Sequence, residues 1–475
     1  MPSALKFLCL AGWIATLFLF VGCGDVPPVT TPQPPKPIAP ASPQQTSSTL
    51  SGGTPVPSAS DDVETSTPPV VAKSTEPDRE LLESRGIHRH QSNRMVLYSD
   101  LPAADVASLP GFVDQFIRIT DEFLGPPPPK LTQDSRPILG YLMKDQSLFD
   151  RLKLLPEKIP AHHTGWHLDH QIWMQHQASP YYERHLLFHE VVHAILNVRG
   201  VRGLSPWLEE GLAELLATHR LDGTLIQWAG IPRDQNEFHG WGRIDEIQTH
   251  VQTHSFYSPD DIAAWPYDKF VTSEAYAWSW AICFYLTEHP QYSEDFRRWL
   301  QLSLEGNPDP LLPWHAWTPE QQAEWKLFLE ELDYGMDLKT WAVEFGRPST
   351  AELKDFSVKS DRGWQSTGWE AHVGQTYLPD FTGEISLNTN SPDWTSTAPG
   401  ISFHYASGQP IGRLLGRLLV TNADGSRHFG PIIPLGELKT WKPAESGILF
   451  LRINDRYADL ADNSGEYRMT LGPQP

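Results

Sequence analysis

The motif His189-Glu190-Val191-Val192-His193 is the sequence feature that most restricts what this chain can fold into. It lies in an apolar run, from Leu187 to Val198, whose hydrophobic residues recur at helical spacing, which predicts an amphipathic helix. Residues four apart share one face of a helix. His189 and His193 can therefore offer two imidazole nitrogens to one zinc ion, with Glu190 on the turn between them.

A catalytic zinc needs a third protein ligand and one position left open for water. The segment Pro206–Glu214, with the sequence PWLEEGLAE, supplies carboxylates for that role. Glycines at 200 and 203 can end the first helix, and Ser205-Pro206 can begin a second one that crosses it. The competing interpretation is that a His-Glu-x-x-His motif occurs by chance in a chain with 19 histidines.

The two segments together resemble the gluzincins, metallopeptidases whose third zinc ligand is a glutamate on a following helix. The resemblance implies that His189, His193 and Glu210 bind zinc, with Glu209 as the alternative third ligand. It also implies that Glu214 accepts a hydrogen bond from a ligand histidine, which fixes the orientation of the ring. A solvated helix carboxylate is the other interpretation of Glu214.

The resemblance extends over residues 92–346, which we assign to a metallopeptidase domain. Strands are predicted at 95–98, 137–143 and 166–175, and in gluzincins the last strand borders a cleft in which a peptide can pair in extended form. The histidines of this region, His167 among them, are expected at the surface or the cleft rim. A later apolar helix at 274–286 carries Tyr276, which either donates a hydrogen bond to the developing oxyanion or packs in the core.

The N-terminal end is typical of an exported protein. Residues 1–23 combine Lys6 with an apolar stretch that ends at Gly22-Cys23, and they resemble bacterial lipoprotein signals, in which the cysteine is lipidated. A signal without lipid or an uncleaved anchor is the alternative. Residues 24–91 are predicted to be a disordered tether, because 13 prolines lie between 24 and 77 and no aromatic residue lies between Phe20 and Tyr98. We therefore expect an extracytoplasmic, membrane-anchored lipoprotein.

Composition restricts both the partners of this protein and what can stabilise its folded parts. The formal net charge of −21 argues against a nucleic-acid partner, because phosphate contacts need clustered lysine and arginine. Three cysteines, of which Cys9 lies in the signal and Cys23 would carry lipid, form no disulfide framework. The folded parts must be stabilised by their cores, to which 18 tryptophans and 20 phenylalanines contribute.

Residues 353–475 follow the two-residue period of strands and are predicted to form an antiparallel β-sandwich. Ile401, Phe403 and Tyr405 alternate in one segment, as do Tyr467, Met469 and Leu471 in another. The loop between Ile453 and Gly465 is crowded with oxygen-bearing side chains of the kind that calcium prefers.

This C-terminal segment resembles the calcium-dependent galactose-binding lectins of the PA-IL type. The resemblance implies that Asp455, Asp462 and Asn463 give side-chain oxygens to calcium and Asp459 a backbone carbonyl, and that a cell-surface glycan could bind there. The alternative is an Asx-rich turn that closes the sandwich without an ion.

The sequence thus predicts an α+β protein with a zincin-like domain and an all-β sandwich. The first hypothesis for function is a zinc metallopeptidase that acts on a peptide or protein, with Glu190 as general base and a calcium- or carbohydrate-binding module appended. The alternative is a surface glycan-binding lipoprotein whose zinc domain is structural or inactive.

Overall fold

The computed structural model describes residues 77–126, 136–156, 164–306, 312–346, 352–387 and 394–473. The predicted signal, Cys23 and most of the predicted tether lie outside these residues. Among the helices that are described, none combines the length and apolar character needed to cross a membrane.

The described part of the chain has an α+β fold, as predicted, with helices concentrated before residue 342 and antiparallel strands after residue 352. The N-terminal elements are α1 (Arg79–Ser84), β1 (His88–Gln91), β2 (Met95–Ser99), α2 (Ala103–Val106), α3 (Leu109–Leu124), β3 (Ile138–Met143), α4 (Gln146–Arg151), β4 (Gly165–Leu168) and β5 (Gln171–Gln175). The central elements are α5 (Pro180–Val198), α6 (Pro206–Ala217), β6 (His219–Asp222), β7 (Leu225–Trp228), α7 (Arg243–Gln252), α8 (Pro259–Ala263), α9 (Ser273–Glu288), α10 (Ser293–Leu304), α11 (Pro319–Glu331) and α12 (Leu338–Trp341).

The first sheet is mixed and has the strand order β1-β2-β3-β5-β4. Strands β2, β3 and β5 run parallel, while β1 and β4 pair antiparallel at the two ends of this order. The predicted strands at 95–98 and 137–143 are confirmed, and the predicted strand at 166–175 is a hairpin of β4 and β5. Among the described strands, β4 pairs only with β5, and it also packs on the long helix α5.

Helix α5 is confirmed but is not amphipathic. It begins at Ser179, whose hydroxyl accepts a hydrogen bond from the backbone of Tyr182, with Pro180 in the first turn. Fourteen of its 19 residues are buried, because the sheet covers one side and α3 and α6 cover others. Polar residues of this helix, including His185, therefore lie in the core and need internal partners.

Helix α6 begins after Ser205 with Pro206 in its first turn, as predicted, although Ser205 makes no side-chain capping hydrogen bond. It packs closely on α9 at Gly211. A Cβ at position 211 would lie 2.5 Å from the carbonyl oxygen of Ser279 and from Cys283 Sγ. Glycine directly after Glu210 therefore permits the close approach of α6 to α9.

Ordered structure begins earlier than the sequence analysis expected. Residues 79–84 form α1 and residues 88–91 form β1, although both lie in the segment 24–91 assigned to a disordered tether. Leu82 and Ile87 are buried against the outer face of the sheet and anchor this segment. Strand β1, of sequence HRHQ, carries no hydrophobic residue, and its backbone pairing with β2 could not be inferred from side-chain pattern.

The C-terminal strands form two larger antiparallel sheets and one hairpin. These strands are β8 (Leu353–Lys359), β9 (Gln365–Ala371), β10 (Tyr377–Thr382), β11 (Ile385–Leu387), β12 (Trp394–Ser396), β13 (Ile401–Ala406), β14 (Gln409–Ile411), β15 (Leu414–Thr421), β16 (Arg427–Phe429), β17 (Gly447–Ile453) and β18 (Ser464–Pro473). One sheet has the order β10-β18-β11-β12 with β8 also on β18, and the other has the order β16-β15-β17-β9. Residues from both sheets share one hydrophobic cluster, as a sandwich requires.

The alternation in β18 is confirmed, because Tyr467, Met469 and Leu471 are all buried. The predicted strand at Ile401, Phe403 and Tyr405 is confirmed as β13, although Phe403 is 72% exposed and Tyr405 is 61% exposed. Among the described strands β13 pairs only with β14, as a separate hairpin, and the ring of Phe403 contacts that of Trp394.

The buried carboxylate of Glu331, at the end of α11, connects the helical part to the C-terminal sheets. It accepts hydrogen bonds from the indoles of Trp341 (3.0 Å) and Trp364 (2.9 Å) and from the hydroxyl of Tyr457. Arg452 lies over the rings of both Trp364 and Tyr457. These charge-assisted and aromatic contacts fix the sandwich on the helical part.

Candidate metal centre

Three ligand atoms from α5 and α6 converge between the two helices. His189 Nε2 lies 3.1 Å from His193 Nε2, and Glu210 Oε2 lies 3.2 Å and 3.5 Å from these two nitrogens. Ligand atoms around a tetrahedral zinc ion, with bonds of about 2.0 to 2.1 Å, are about 3.3 Å apart. The two imidazoles and one carboxylate therefore have the separations that three ligands of a zinc ion would have.

The convergent atoms need a positive charge between them. Glu210 Oε2 is buried and makes no hydrogen bond of acceptable geometry with any described residue. Burial alone would raise the pKa of Glu210, but the facing imidazoles outweigh it and lower that pKa to about 2. Burial would likewise lower the pKa of His193, but Glu210 and Glu209 raise it to about 9. Without a metal the site therefore retains protons, and a divalent cation would displace them.

Glu214 orients the first histidine from the side away from the convergence point. Its Oε1 lies 3.2 Å from His189 Nδ1, and its Oε2 lies 3.1 Å from His185 Nε2. Arg243 donates to both carboxylate oxygens at 2.9 Å. Burial would raise the pKa of Glu214, but Arg243 and then His185 outweigh it and hold that pKa well below its usual value. Glu214 is thus a buried carboxylate that fixes the ring of His189, and the solvated alternative does not apply.

Glu209 has a different position from Glu210. Its Oε1 lies 3.4 Å from Nδ1 of His193, the ring nitrogen that faces away from the convergence point. Each histidine of the motif therefore has a carboxylate on its Nδ1 side: Glu214 beside His189 and Glu209 beside His193. Of the two alternatives for the third ligand, the geometry favours Glu210.

The carboxylate of Glu190 borders the convergence point and is buried. Its Oε2 lies 3.3 Å from Nδ1 of His167 on β4. Burial would raise the pKa of Glu190, but the hydrogen bond with His167 and the charges of His189 and His193 outweigh it, so that pKa lies below its usual value. The side chain is therefore ionised at neutral pH and can accept a proton.

A second group of side chains with metal-ligand chemistry, formed by His167, His193 and Glu209, overlaps the first. The rings of His167 and His193 are stacked with centroids 4.2 Å apart and planes 15° apart. The lone pair of an imidazole nitrogen lies in the plane of its ring, so two parallel rings cannot direct lone pairs at one ion. This group therefore packs around the centre and does not form a second metal site.

A cleft opens above the convergent atoms. It is bordered by β4 on one side and by a 3-10 turn at Tyr267–Val271 on the other. Tyr267 and Val271 are exposed at its rim. Tyr276 of α9 lines the cleft, and its ring packs edge-on against His189 and beneath the guanidinium of Arg243. Burial and the nearby carboxylates, first Glu210, raise the pKa of Tyr276, so its hydroxyl keeps its proton and can donate.

The predicted calcium loop lies between β17 and β18. Asp455 is buried, and its Oδ2 accepts a hydrogen bond from Asn463 Nδ2 at 3.0 Å, while Oδ1 of Asn463 is buried without a partner among the described residues. Burial, together with the charges of Asp459 and Asp462, raises the pKa of Asp455. The loop thus combines a buried carboxylate, an unpartnered amide oxygen and two further acidic side chains.

Comparisons with known proteins assign no family to this chain. No protein-family model matches it, and no curated protein matches it. One solved structure, described as "EclA N-terminal domain; PllA-like lectin", is similar at 17% identity over 26% of this chain and 100% of that chain, with a TM-score of 0.20. A TM-score this low supports no conclusion about the fold or the ligand of this chain.

Two residues of the centre were not identified from the sequence. His167 lies at the cleft, as expected, but its contact with Glu190 was not predicted; its position on a strand that precedes the motif helix was the only available signal. Arg243 follows Glu214 by 29 residues, at the start of α7, and neither spacing nor local pattern indicated that the two would pair. Both contacts are long-range and depend on how separate elements pack.

Proposed function

We propose that this protein is a zinc-dependent hydrolase of peptide bonds, of the gluzincin type, in which His189, His193 and Glu210 bind the metal. The convergence of their three ligand atoms within 3.1 to 3.5 Å is the observation that carries the proposal. Glu214, 3.2 Å from Nδ1 of His189, matches the second part of such a site, since ligand histidines usually bond a carboxylate through their other nitrogen. Glu209 lies 3.4 Å from Nδ1 of His193, which makes no hydrogen bond of acceptable geometry with a described residue.

Glu190 is the general base of the proposed reaction. When bound, zinc would lower the pKa of water and polarise a carbonyl oxygen. Glu190, buried and ionised, accepts a proton from the attacking water while the hydroxyl part adds to the carbonyl carbon. It then returns that proton to the leaving amine as the carbon–nitrogen bond breaks. Tyr276 lies in the cleft with its hydroxyl protonated, so it can donate a hydrogen bond to the oxyanion.

The substrate in this proposal is a peptide segment in extended conformation. Strand β4 borders the cleft and among the described strands is paired only with β5, so its second edge can bind a peptide backbone. An extracytoplasmic location and a lipid anchor at Cys23 complete the proposal, on the sequence of residues 1–23 alone. A nucleic-acid partner is not part of it, given the charge of −21.

A peptide-library experiment tests the proposed activity. We expect the full-length protein to cleave peptides, activity to disappear on treatment with a zinc chelator, and activity to return when zinc is added. Mass spectrometry of the products identifies the cleaved bonds. Cleavage that persists in chelator would contradict a metal-dependent mechanism, and the absence of cleavage in a zinc-loaded sample would contradict a peptidase.

The second candidate function is calcium-dependent binding of a glycan by the C-terminal sandwich, either beside the peptidase or in its place, with the zinc domain as a scaffold. The buried, unpartnered Oδ1 of Asn463 next to the buried carboxylate of Asp455 favours it, because calcium binds such oxygens. Asp462 and the backbone of Asp459 complete the proposed ligand set.

Thermal unfolding tests the calcium part of this candidate. At a calcium concentration of 100 times the dissociation constant, binding would stabilise the wild type by about 2.7 kcal/mol. Calcium should therefore raise the unfolding temperature of the wild type. We expect this rise to be absent in Asp455→Asn and absent with magnesium, which accepts fewer and more regularly placed ligands. An equal shift in the wild type and in Asp455→Asn would contradict the site, and a glycan array with and without calcium then tests sugar binding.

A further inference from the structure

The carboxylate of Glu190 is bordered by alternate residues of β4. Successive side chains of a strand point to opposite faces, so residues 165 and 167 share the face that lies against α5. Gly165 lies beside Oε1 of Glu190, where an added Cβ would meet that oxygen, and Nδ1 of His167 lies beside Oε2. One strand thus contacts both oxygens of the side chain that the proposed function assigns as general base.

His167 makes a directed contact. Nδ1 of His167 lies 3.3 Å from Oε2 of Glu190, and in this contact the imidazole N–H donates to the carboxylate oxygen. The ring of His167 is held by its stacking on His193, with centroids 4.2 Å apart. The donor is therefore fixed by a ring that also packs on a proposed metal ligand.

Gly165 provides the space for the other oxygen. A Cβ at this position would lie 2.3 Å from Oε1 of Glu190 and 2.8 Å from a methyl carbon of Leu186. Both atoms are the ends of flexible side chains, which can rotate without disturbing the backbone. An alanine here would therefore displace the carboxylate while the fold is retained.

We propose that β4 positions the general base: His167 orients the carboxylate of Glu190 through Nδ1, and Gly165 leaves the space in which that carboxylate sits. This inference rests on the proposed function, because it assigns a role to Glu190. His167 is a positioning residue, and it acts on the reaction through Glu190.

The kinetic test compares four variants of the full-length, zinc-loaded protein. We expect His167→Ala and Gly165→Ala to lower kcat by about 10- to 100-fold, the range typical of residues that orient a catalytic group, with KM and zinc content unchanged. His167→Asn should recover much of the loss, because the asparagine amide nitrogen can occupy the position of Nδ1. Leu168→Ala is the control, since Leu168 is on the opposite face of β4 and 54% exposed. Wild-type kcat in His167→Ala, or an equal loss in His167→Asn and His167→Ala, would overturn the inference.

A double-mutant cycle tests the same contact without any activity. In the metal-free protein, the shifts in unfolding midpoint caused by His167→Ala and by Glu190→Ala should not add in the double variant, because each removes the same hydrogen bond. Additive shifts would overturn the inference even if the enzyme is active. Non-additive shifts in a protein that cleaves no peptide would refute the proposed function and leave the contact established. Non-additive shifts with an unchanged kcat would show a structural contact and refute the positioning role.

Discussion

Replacing Glu190 with glutamine is expected to remove peptide hydrolysis while leaving the zinc content near that of the wild type. Glutamine has the size of glutamate and can still accept the hydrogen bond from His167, but it cannot take a proton from water at neutral pH. General base catalysis contributes about 100- to 10,000-fold, so kcat should fall by at least about 100-fold. The measurement is kcat on a cleaved library peptide, with zinc determined on the same preparation.

The matched control for this prediction is Glu122→Gln, which makes the same chemical change at an exposed position of α3. It should leave both kcat and zinc content unchanged. If the Glu190→Gln protein kept wild-type turnover, the proposed mechanism would be wrong. If it lost zinc together with activity, the loss would report on the metal site and not on proton transfer.

Replacing Arg243 with methionine is expected to cause the largest loss of stability among the charged residues of the centre. Arg243 donates two hydrogen bonds of 2.9 Å to Glu214, and both side chains are buried. Removing one partner of a buried ion pair leaves an uncompensated charge, which typically lowers the free energy of unfolding by about 3 to 5 kcal/mol. Because Glu214 also orients His189, zinc affinity should fall by about 10- to 100-fold.

Chemical denaturation and a zinc competition titration check the two effects. The control is Arg298→Met, because Arg298 pairs with Glu294 on the exposed face of α10. An exposed pair of this kind contributes about 0 to 1 kcal/mol. If Arg243→Met lowered the free energy of unfolding by less than about 1 kcal/mol, Arg243 would not be the group that compensates the buried charge of Glu214.

The sequence predicted the elements of the centre well because its signals are local. The spacing of His189 and His193 on one helix, and the Ser-Pro start of a second helix, depend only on neighbouring residues. The position of Glu210 opposite the two histidines depends in addition on the crossing of α5 and α6. Gly211 contributes to that crossing through its close approach to α9, and a glycine at that position has no local explanation.

The sequence did not predict contacts that arise from tertiary packing. Helix α5 was expected to have a polar face, but packing on several sides buries His185 and supplies Glu214 as its partner. The alternation in β13 predicted a strand, which is present, but it did not show that Phe403 and Tyr405 would be exposed on a separate hairpin. Side-chain pattern indicates that a face is apolar; which element covers it depends on distant parts of the chain.

The metal content of the purified protein tests the central claim most directly. Mass spectrometry should find near-stoichiometric zinc in the wild type and a strong loss of zinc in His193→Ala and in Glu210→Gln. Glu209→Gln should retain zinc, because Glu209 lies on the Nδ1 side of His193, away from the convergence point. A wild-type protein without zinc after incubation with the metal, or an unchanged zinc content in Glu210→Gln, would contradict the proposed centre.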